Sequence, residues 1–473
     1  MKDVIIIGAG ISGCTIAHLL AKRKCEVLVL EKRADAALGA SGANSAIIHS
    51  GHDPKEGTLK AKFNLLGNRM YEDYCQELQV DFKRIGAFVV ASGEEEEKTL
   101  WGLFEQARKR AIECALLSGD EVRKREPNVA DEITMGLYLP TTGIITPWEV
   151  CYAALEEAKM NDVDVHFNEE VMAIKKEDDH FVVKTDCGEY LSRYVIDCAG
   201  VRADEIAGML GIDTYSIRAR KGEYYVLDHK GYFTNAIIYP VPSNKGKGVL
   251  AVPTIHGNTL LGPTAEFVDD KDDDETTDDL YSVKEKLART MKNIPYQNVI
   301  RNFAGLRPTG SNHDFIIKED EKVKGFIHVS CIESPGLTAA PAIAKYVVEE
   351  LLHDQYELKT EFKRRRKPLI MAKLTDEEKN HLIKENPDFG YVVCRCEKIS
   401  LGEVKDVINR PLGARSIIGV KRRCRPGMGG CQGGFCEPQI LEILAKELGI
   451  PKEKVLREGP GSEIALMKLK EDL

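Results

Sequence analysis

The sequence predicts an α/β protein in three parts. These are a nucleotide-binding domain, a mostly antiparallel α+β domain inserted into it, and a small C-terminal module. Three observations lead there. An apolar strand, a glycine-rich turn, a helix and a second apolar strand open the chain. The middle alternates in strand-like stretches that do not read as further βαβ units. Five of the thirteen cysteines crowd between Cys394 and Cys436, while the other eight are scattered singly from Cys14 to Cys331.

Length and composition set the bounds. A chain of 473 residues predicts roughly three domains of about 150 residues each. Hydrophobic residues at 43% and charged residues at 30% are the mixture of a globular protein with real cores. The 66 Lys and Arg against 75 Asp and Glu leave −9, which argues against a general nucleic-acid binder. The cysteines are too few for a disulfide framework. Met1-Lys2-Asp3 followed by Val4–Ile7 lacks the shape of a signal peptide. Without a long apolar run no transmembrane helix is expected. A reducing cytoplasm is the expected setting, with membrane association through a partner or a peripheral surface left open.

Val4–Ile7 suits a parallel strand buried on both faces. Gly8-Ala9-Gly10-Ile11-Ser12-Gly13 follows, then Ile16, Ala17, Leu19 and Leu20 recur at helical spacing, and Val27–Leu30 is a second buried strand ended by Glu31 and Lys32. The glycines permit a tight turn and a close approach of backbone to a pyrophosphate, whose charge sits at the helix N-terminus. Glu31, eighteen residues past Gly13, stands where an acid accepts ribose hydroxyls. The unit therefore predicts an adenine dinucleotide rather than a merely tight turn.

Further on, Val195–Cys198 is a strand running into the small-residue turn Ala199-Gly200, as needed where backbone packs beside a cofactor. Strand-like stretches such as Tyr224–Leu227 and Val249–Val252 place the inserted substrate domain at about 81–145 and 221–300. The nucleotide-binding domain then takes about 1–80, 146–220 and 301–356. Asp269–Asp279 is acid-rich and is expected as a solvated loop. Lys363-Arg364-Arg365-Arg366-Lys367-Pro368 marks a basic linker over 357–389, with contact to an anionic lipid or partner as the alternative. Residues 390–473 form the last module and a helical tail.

In that module Cys394-Arg395-Cys396 is followed after thirty-four residues by Cys431 and, after four more, by Cys436. Two close pairs from distant segments can converge on one soft metal centre. Gly427, Gly429, Gly430, Gly433 and Gly434 would let backbone N–H groups point at sulfur. The spacing favours an iron–sulfur centre. Zinc is the alternative, although its four-cysteine sites commonly use two C-x-x-C knuckles. Buried structural thiols are the third reading. Nine Lys and Arg against three Asp and Glu over 391–436 make this a basic patch on an acidic protein.

Gly8–Gly13 with Glu31, the run Ser41-Gly42-Ala43-Asn44-Ser45-Ala46-Ile47-Ile48-His49-Ser50-Gly51, Gly305-Leu306-Arg307-Pro308, and Glu333–Pro341 resemble the D-amino-acid-oxidase-like superfamily of FAD enzymes. The fit is to its glycerol-3-phosphate oxidase/dehydrogenase and L-2-hydroxyglutarate dehydrogenase branch. The last module is similar to 2Fe–2S domains of the bacterioferritin-associated-ferredoxin type. The resemblance implies a Rossmann-like domain holding FAD. Gly8, Gly10, Ser12, Gly13, Glu31, Lys32, Ser41, Asn44, Ser45, Ala199, Gly200 and Gly305 would lie beside it. Gly336-Leu337-Thr338 would be a helix N-terminus facing the pyrimidine end of the flavin. It also assigns Cys394, Cys396, Cys431 and Cys436 as cluster ligands and leaves Cys424 a free thiol.

Flavin oxidation of an alcohol needs a base, a carbinol C–H facing the ring, and a grip on the substrate's anionic end. His49 is the expected base, with His256 as runner-up. Arg307 matches the substrate-gripping arginine of the family, and Lys247 aligns with an active-site lysine of glycerol-3-phosphate oxidases. The implied reaction is sn-glycerol 3-phosphate to dihydroxyacetone phosphate, with electrons leaving through the cluster to a partner acceptor subunit. The alternatives are a 2-hydroxy acid such as L-2-hydroxyglutarate, an amine or amino acid, and an electron relay with no substrate of its own.

Overall fold

In the computed structural model, which describes residues 1–229, 233–242, 248–277 and 280–465, the chain opens with Lys2–Ile7 (β1), Ile11–Ala21 (α1) and Val27–Glu31 (β2). These two strands pair in parallel, and Glu189–Asp197 (β3) lies parallel on the other side of β1. Asp164–Phe167 joins beyond β2 and Phe326–Ser330 beyond the end of β3, both parallel. An antiparallel ribbon, Val171–Lys176 and Phe181–Thr185, continues this sheet from the start of β3. The strands are continuous apolar runs because helices cover both faces. One face buries Val4, Ile6, Val27 and Val29 under α1 and the helices Leu59–Leu78 and Pro147–Met160, and the other buries Ile5, Ile7, Leu28 and Leu30.

The second sheet is mostly antiparallel, as the alternating patterns predicted. Its spine is Ile217–Leu227 (β4), paired along its whole length with Val299–Gly310 (β5). It extends through Thr259–Gly262, Leu250–Pro253 and Ile237–Pro240 to Ala87–Ala91 and Met135–Leu139. Ile237–Pro240 and Ala87–Ala91 run parallel. Residues 301–310, expected on the nucleotide side of the boundary, belong to this sheet because they complete the ladder of β4. Where β5 passes the first domain the backbones nearly touch: a Cβ at Gly305 would lie 2.0 Å from the carbonyl oxygen of Ala43.

Two expected surface segments also serve as straps. The acid-rich loop pairs Asp272 with Arg202, Asp273 with Lys221 and Asp274 with Arg33, so its described part spans from the second sheet back to the first domain. Its last two residues, 278 and 279, lie outside the described residues. The basic run is held the same way. Arg364 reaches Glu77 and Glu157, Arg366 reaches Asp406, and buried Arg365 donates to the carbonyl of Leu78. The reason is charge: carboxylates on three helices await those guanidiniums.

Gly336–Tyr346 (α2) closes the first domain. The last module has its own core of Val404, Val407, Ile408, Val420, Ile440 and Leu444. It is built on a short hairpin and the helices Leu401–Asn409, Ile417–Cys424 (α3) and Glu437–Leu448. It packs directly on the first domain, where Arg410 forms a buried ion pair with Glu156 at 3.0 Å. Among the described residues no helix is long and apolar enough to cross a membrane.

Candidate functional site

A cavity of about 1510 Å³ opens between the two sheets. Its floor is the turn after β1. Gly8 has φ +103°, and a Cβ there would sit 2.5 Å from the carbonyl oxygen of Cys198. At Gly13 a Cβ would sit 2.0 Å from the Gly8 carbonyl oxygen, so this glycine serves helix–strand packing behind the cavity. Gly10 faces open space except for the Ser41 hydroxyl, which accepts from Ile11 N–H at 2.8 Å. Glu31 accepts from the N–H groups of Ala9 and Arg33, both at 2.8 Å. Burial pushes its carboxyl up despite those donors.

Gly8, Gly10, Ser12, Glu31 and Lys32 all line the cavity, joined by Ser41, Asn44 and Ser45 from the next loop. Ala199 and Gly200 follow β3, Gly305 lies on β5, and Gly336 with Leu337 begins α2; these line it too. The N-cap residues of α1 and α2, Gly10 and Pro335, supply no side-chain cap of their own, and both helix ends face the cavity. The positive ends of two helices meeting one space suit a cofactor with an anionic diphosphate and an electron-poor ring. A glycine-walled cavity with the half-buried acid Glu31 hydrogen-bonded to the turn beside it therefore fits FAD.

Thr338 stands one layer back. Its hydroxyl accepts from His49 N–H at 2.9 Å, while Asn64 and Asn68 donate to the His49 carbonyl. His49 is thus fixed by its backbone and lines the cavity. Its Nδ1 is 3.1 Å from the Tyr239 hydroxyl. Burial, then Asp53, push the Tyr239 phenol far up, which keeps it neutral.

Arg307 also lines the cavity. It donates to the Thr264 carbonyl at 2.7 Å, and its Nη2 lies where a Cβ of Gly222 would be, 2.1 Å away. Directly across the ladder is Arg220, which faces the same cavity. Burial, then the charge of Arg307, pull the Arg220 guanidinium below its ordinary value. Tyr224 bonds Ser45 at 2.9 Å and stacks on Phe303 with ring centres 4.7 Å apart. Sequence reading missed Arg220, Tyr224 and Tyr239. Alternation along β4 could have put Arg220 on the face of Tyr224, but the register that sets it against Arg307 joins segments far apart in the chain. His256 lies outside the cavity lining. Its ring reaches Thr146 at 3.3 Å and Glu149 at 3.5 Å. Lys247 lies outside the described residues.

In the last module the four cysteines stand as two pairs. Cys396 and Cys431 sulfurs are 3.6 Å apart, and Cys394 is hydrogen-bonded to Cys436. The Cys436 thiol holds Cys394 down to about 6 against burial, helped by the N–H groups of Glu397, Gly427 and Cys396. Burial raises Cys431, but the N–H groups of Gly433 and Phe435 and the Cys396 thiol bring it below its ordinary value. Thiolates are the form that binds metal. Among the described residues no three His, Cys, Asp or Glu are gathered as around a single ion. Two thiol pairs fit a dinuclear cluster with four cysteine ligands better than tetrahedral zinc. Cys424 donates to the Val420 carbonyl at 3.5 Å, and burial keeps its thiol protonated.

The family comparisons agree with both sites. Residues 3–350 match the family of FAD-dependent oxidoreductases and residues 392–446 match BFD-like 2Fe–2S binding domains. The chain is 44% identical over 470 residues to a glycerol 3-phosphate dehydrogenase of Caloramator mitchellensis, covering 98% of each. It is 33% identical to a glycerol 3-phosphate oxidase of Mycoplasma pneumoniae, covering 74% of this chain and 94% of that one. A structure of dithionite-reduced L-alpha-glycerophosphate oxidase from Mycoplasma pneumoniae with FAD bound superposes with a TM-score of 0.75 at 32% identity, covering 78% of this chain and 99% of that one.

Proposed function

The chain belongs to the family of FAD-dependent oxidoreductases, and from that premise we propose that it oxidises sn-glycerol 3-phosphate to dihydroxyacetone phosphate. When bound, FAD supplies the acceptor for the carbinol hydride and the 2Fe–2S cluster a one-electron outlet to an acceptor protein.

The observation that carries the substrate is the Arg220–Arg307 pair. Two guanidiniums placed opposite each other on one face repel, and an anion of two charges between them turns that repulsion into attraction. A phosphate monoester offers two charges and a bidentate edge to each fork. Arg307 is oriented for this by the Thr264 carbonyl, and Gly222 makes room for it.

His49 serves as the base. In the tautomer whose Nδ1–H donates to Tyr239, Nε2 carries the lone pair that takes the substrate hydroxyl proton. Thr338, Asn64 and Asn68 hold the histidine backbone. That fixed placement is what proton transfer in a near-attack geometry asks for. Tyr224 and Ser45 wall the same space.

The acceptor docks on the last module. Cys396 is exposed, and beside the second pair Phe435 is 82% exposed and Tyr391 56% exposed. A cytoplasmic setting fits the cysteines, all of which are free.

Stopped-flow mixing under nitrogen with sn-glycerol 3-phosphate, L-2-hydroxyglutarate or amino acids tests the reading through bleaching of flavin absorbance. Fast bleaching by the phosphate ester alone is expected. Preferential bleaching by either other class would overturn the substrate assignment, and none with any of them would favour a relay.

A further inference from the structure

We infer that the cluster module is also a clamp on the flavin site: Arg422 and Arg423 of α3 hold the loop 35–43 that forms one wall of the cofactor cavity. Ala37, Leu38, Gly39, Ala40 and Ser41 of this loop line the cavity, and the loop is held from outside.

Arg423 clamps its start. The guanidinium makes a two-pronged ion pair with buried Asp35, with Nη2 to Oδ1 at 2.8 Å and Nη1 to Oδ2. It lies over the Tyr152 ring at 3.9 Å and donates to the Leu412 carbonyl. Its side chain is 6% exposed and that of Asp35 is 8% exposed, so the pair is shielded from water. Gly419 permits the approach, since a Cβ there would stand 3.3 Å from Asp35 Oδ2. Removing Arg423 leaves a buried carboxylate without its main counter-ion, a strongly unfavourable state that the loop relieves by moving.

Arg422 clamps the middle. Its Nη1 donates to the Ala37 carbonyl at 3.0 Å, and its own carbonyl accepts from the Trp148 indole at 3.0 Å. Ala37 has φ +58°, a left-handed conformation that an alanine holds only when its surroundings fix it. The fixing contacts form a chain. Arg422 donates to Ala37, Ala37 N–H donates to the Ala9 carbonyl at 3.0 Å, and Ala9 N–H donates to Glu31 at 2.8 Å. The cluster module is thereby hydrogen-bonded, through one residue, to the fingerprint turn and its ribose-side acid. Gly42 seals the arrangement, because a Cβ there would lie 2.1 Å from the Ala37 carbonyl oxygen and 3.0 Å from Arg422 Nη1.

Arg422 and Arg423 are thus positioning residues for FAD, acting through the loop. The test uses the full holoprotein with Arg422→Met, Arg423→Ala and Arg423→Lys, and reads FAD dissociation by fluorescence dequenching while iron and sulfide are assayed on the same samples. Each of the first two variants is expected to release FAD about tenfold faster or more, the scale of one lost charge-assisted hydrogen bond, with iron content unchanged. Arg423→Lys, keeping the charge but not the fork, should fall between. Arg422→Met removes one donor and keeps the stem, so it remains informative if Arg423→Ala does not fold. Unchanged FAD release in Arg422→Met would overturn the clamp, and so would FAD loss that occurs only together with iron loss.

Discussion

The flavin cavity and the cluster site use the same material in opposite ways. Both lean on glycine and on backbone N–H groups aimed at negative charge. The cavity gathers its wall from residues as distant as Gly8, Arg220, Arg307 and Leu337 and encloses it between two sheets. The cluster site gathers its four candidate ligands between Cys394 and Cys436 and leaves Cys396 at the surface. Substrate chemistry needs water kept away and several groups held at once, whereas electron exit needs only an edge that a partner can approach. Damage should therefore be partial and graded in the cavity but total at the cluster.

The sharpest contrast comes from Cys431→Ala. Loss of one ligand is expected to take bound iron to background and stop transfer to the acceptor, while substrate still bleaches the flavin. Iron retained at wild-type level, with transfer intact, would remove Cys431 from the ligand set. Next in size is His49→Asn, expected to slow single-turnover flavin bleaching about a thousandfold, the range of general base catalysis, with FAD still bound. An unchanged rate would assign the proton to another group. Arg220→Met should raise KM for sn-glycerol 3-phosphate by about ten- to a hundredfold, the scale of one charged contact, and should alter FAD content little. Equal KM values would leave Arg307 as the sole grip.

The smallest effect concerns the joint between the regions. Burial raises the Glu157 carboxyl, but His18, the Arg365 N–H and Arg364 more than compensate, so it sits below its ordinary value. Its contribution to stability is present above the usual glutamate range and is lost as pH falls through the depressed value. Burial also lowers His18, so unfolding takes up a proton there too and acid weakens the joint further. Glu157→Gln should melt at a lower temperature near neutrality and show a shallower fall in melting temperature on acidification. Parallel pH profiles for both proteins would exclude this carboxylate as a source of the slope.

How much could be read in advance follows from how far each interaction reaches along the chain. The fingerprint with Glu31 is a local pattern that carries its own geometry, a strand, a turn and a helix in register. The four cysteines were legible as a set, but their sulfurs pair across the two segments, Cys396 with Cys431 and Cys394 with Cys436. The α2 N-terminus at Gly336 was legible through resemblance. The Arg220–Arg307 pairing was not, since nothing in either segment states the register of a ladder joining them. Tyr239 was hidden for the same reason, being one tyrosine in a short buried strand. The straps were legible only as surface. Lys363–Lys367 and the acid-rich loop look solvated by composition, and only the fold shows that Glu77, Glu157, Arg33 and Arg202 are waiting for them.

The hydrogen-bonded chain from Arg422 through Ala37 to Ala9 has a temporal side. Ala37 and Arg422 are 385 residues apart, so during synthesis the fingerprint leaves the ribosome long before the side chain that braces its loop. A nascent chain can form the first strands and helix early, yet it completes its cofactor wall only after the cluster module has emerged and folded. Flavin retention is thereby tied to completion of the chain: a chain stalled before α3 is expected to release its flavin faster than the finished protein, whose exit for electrons is already built.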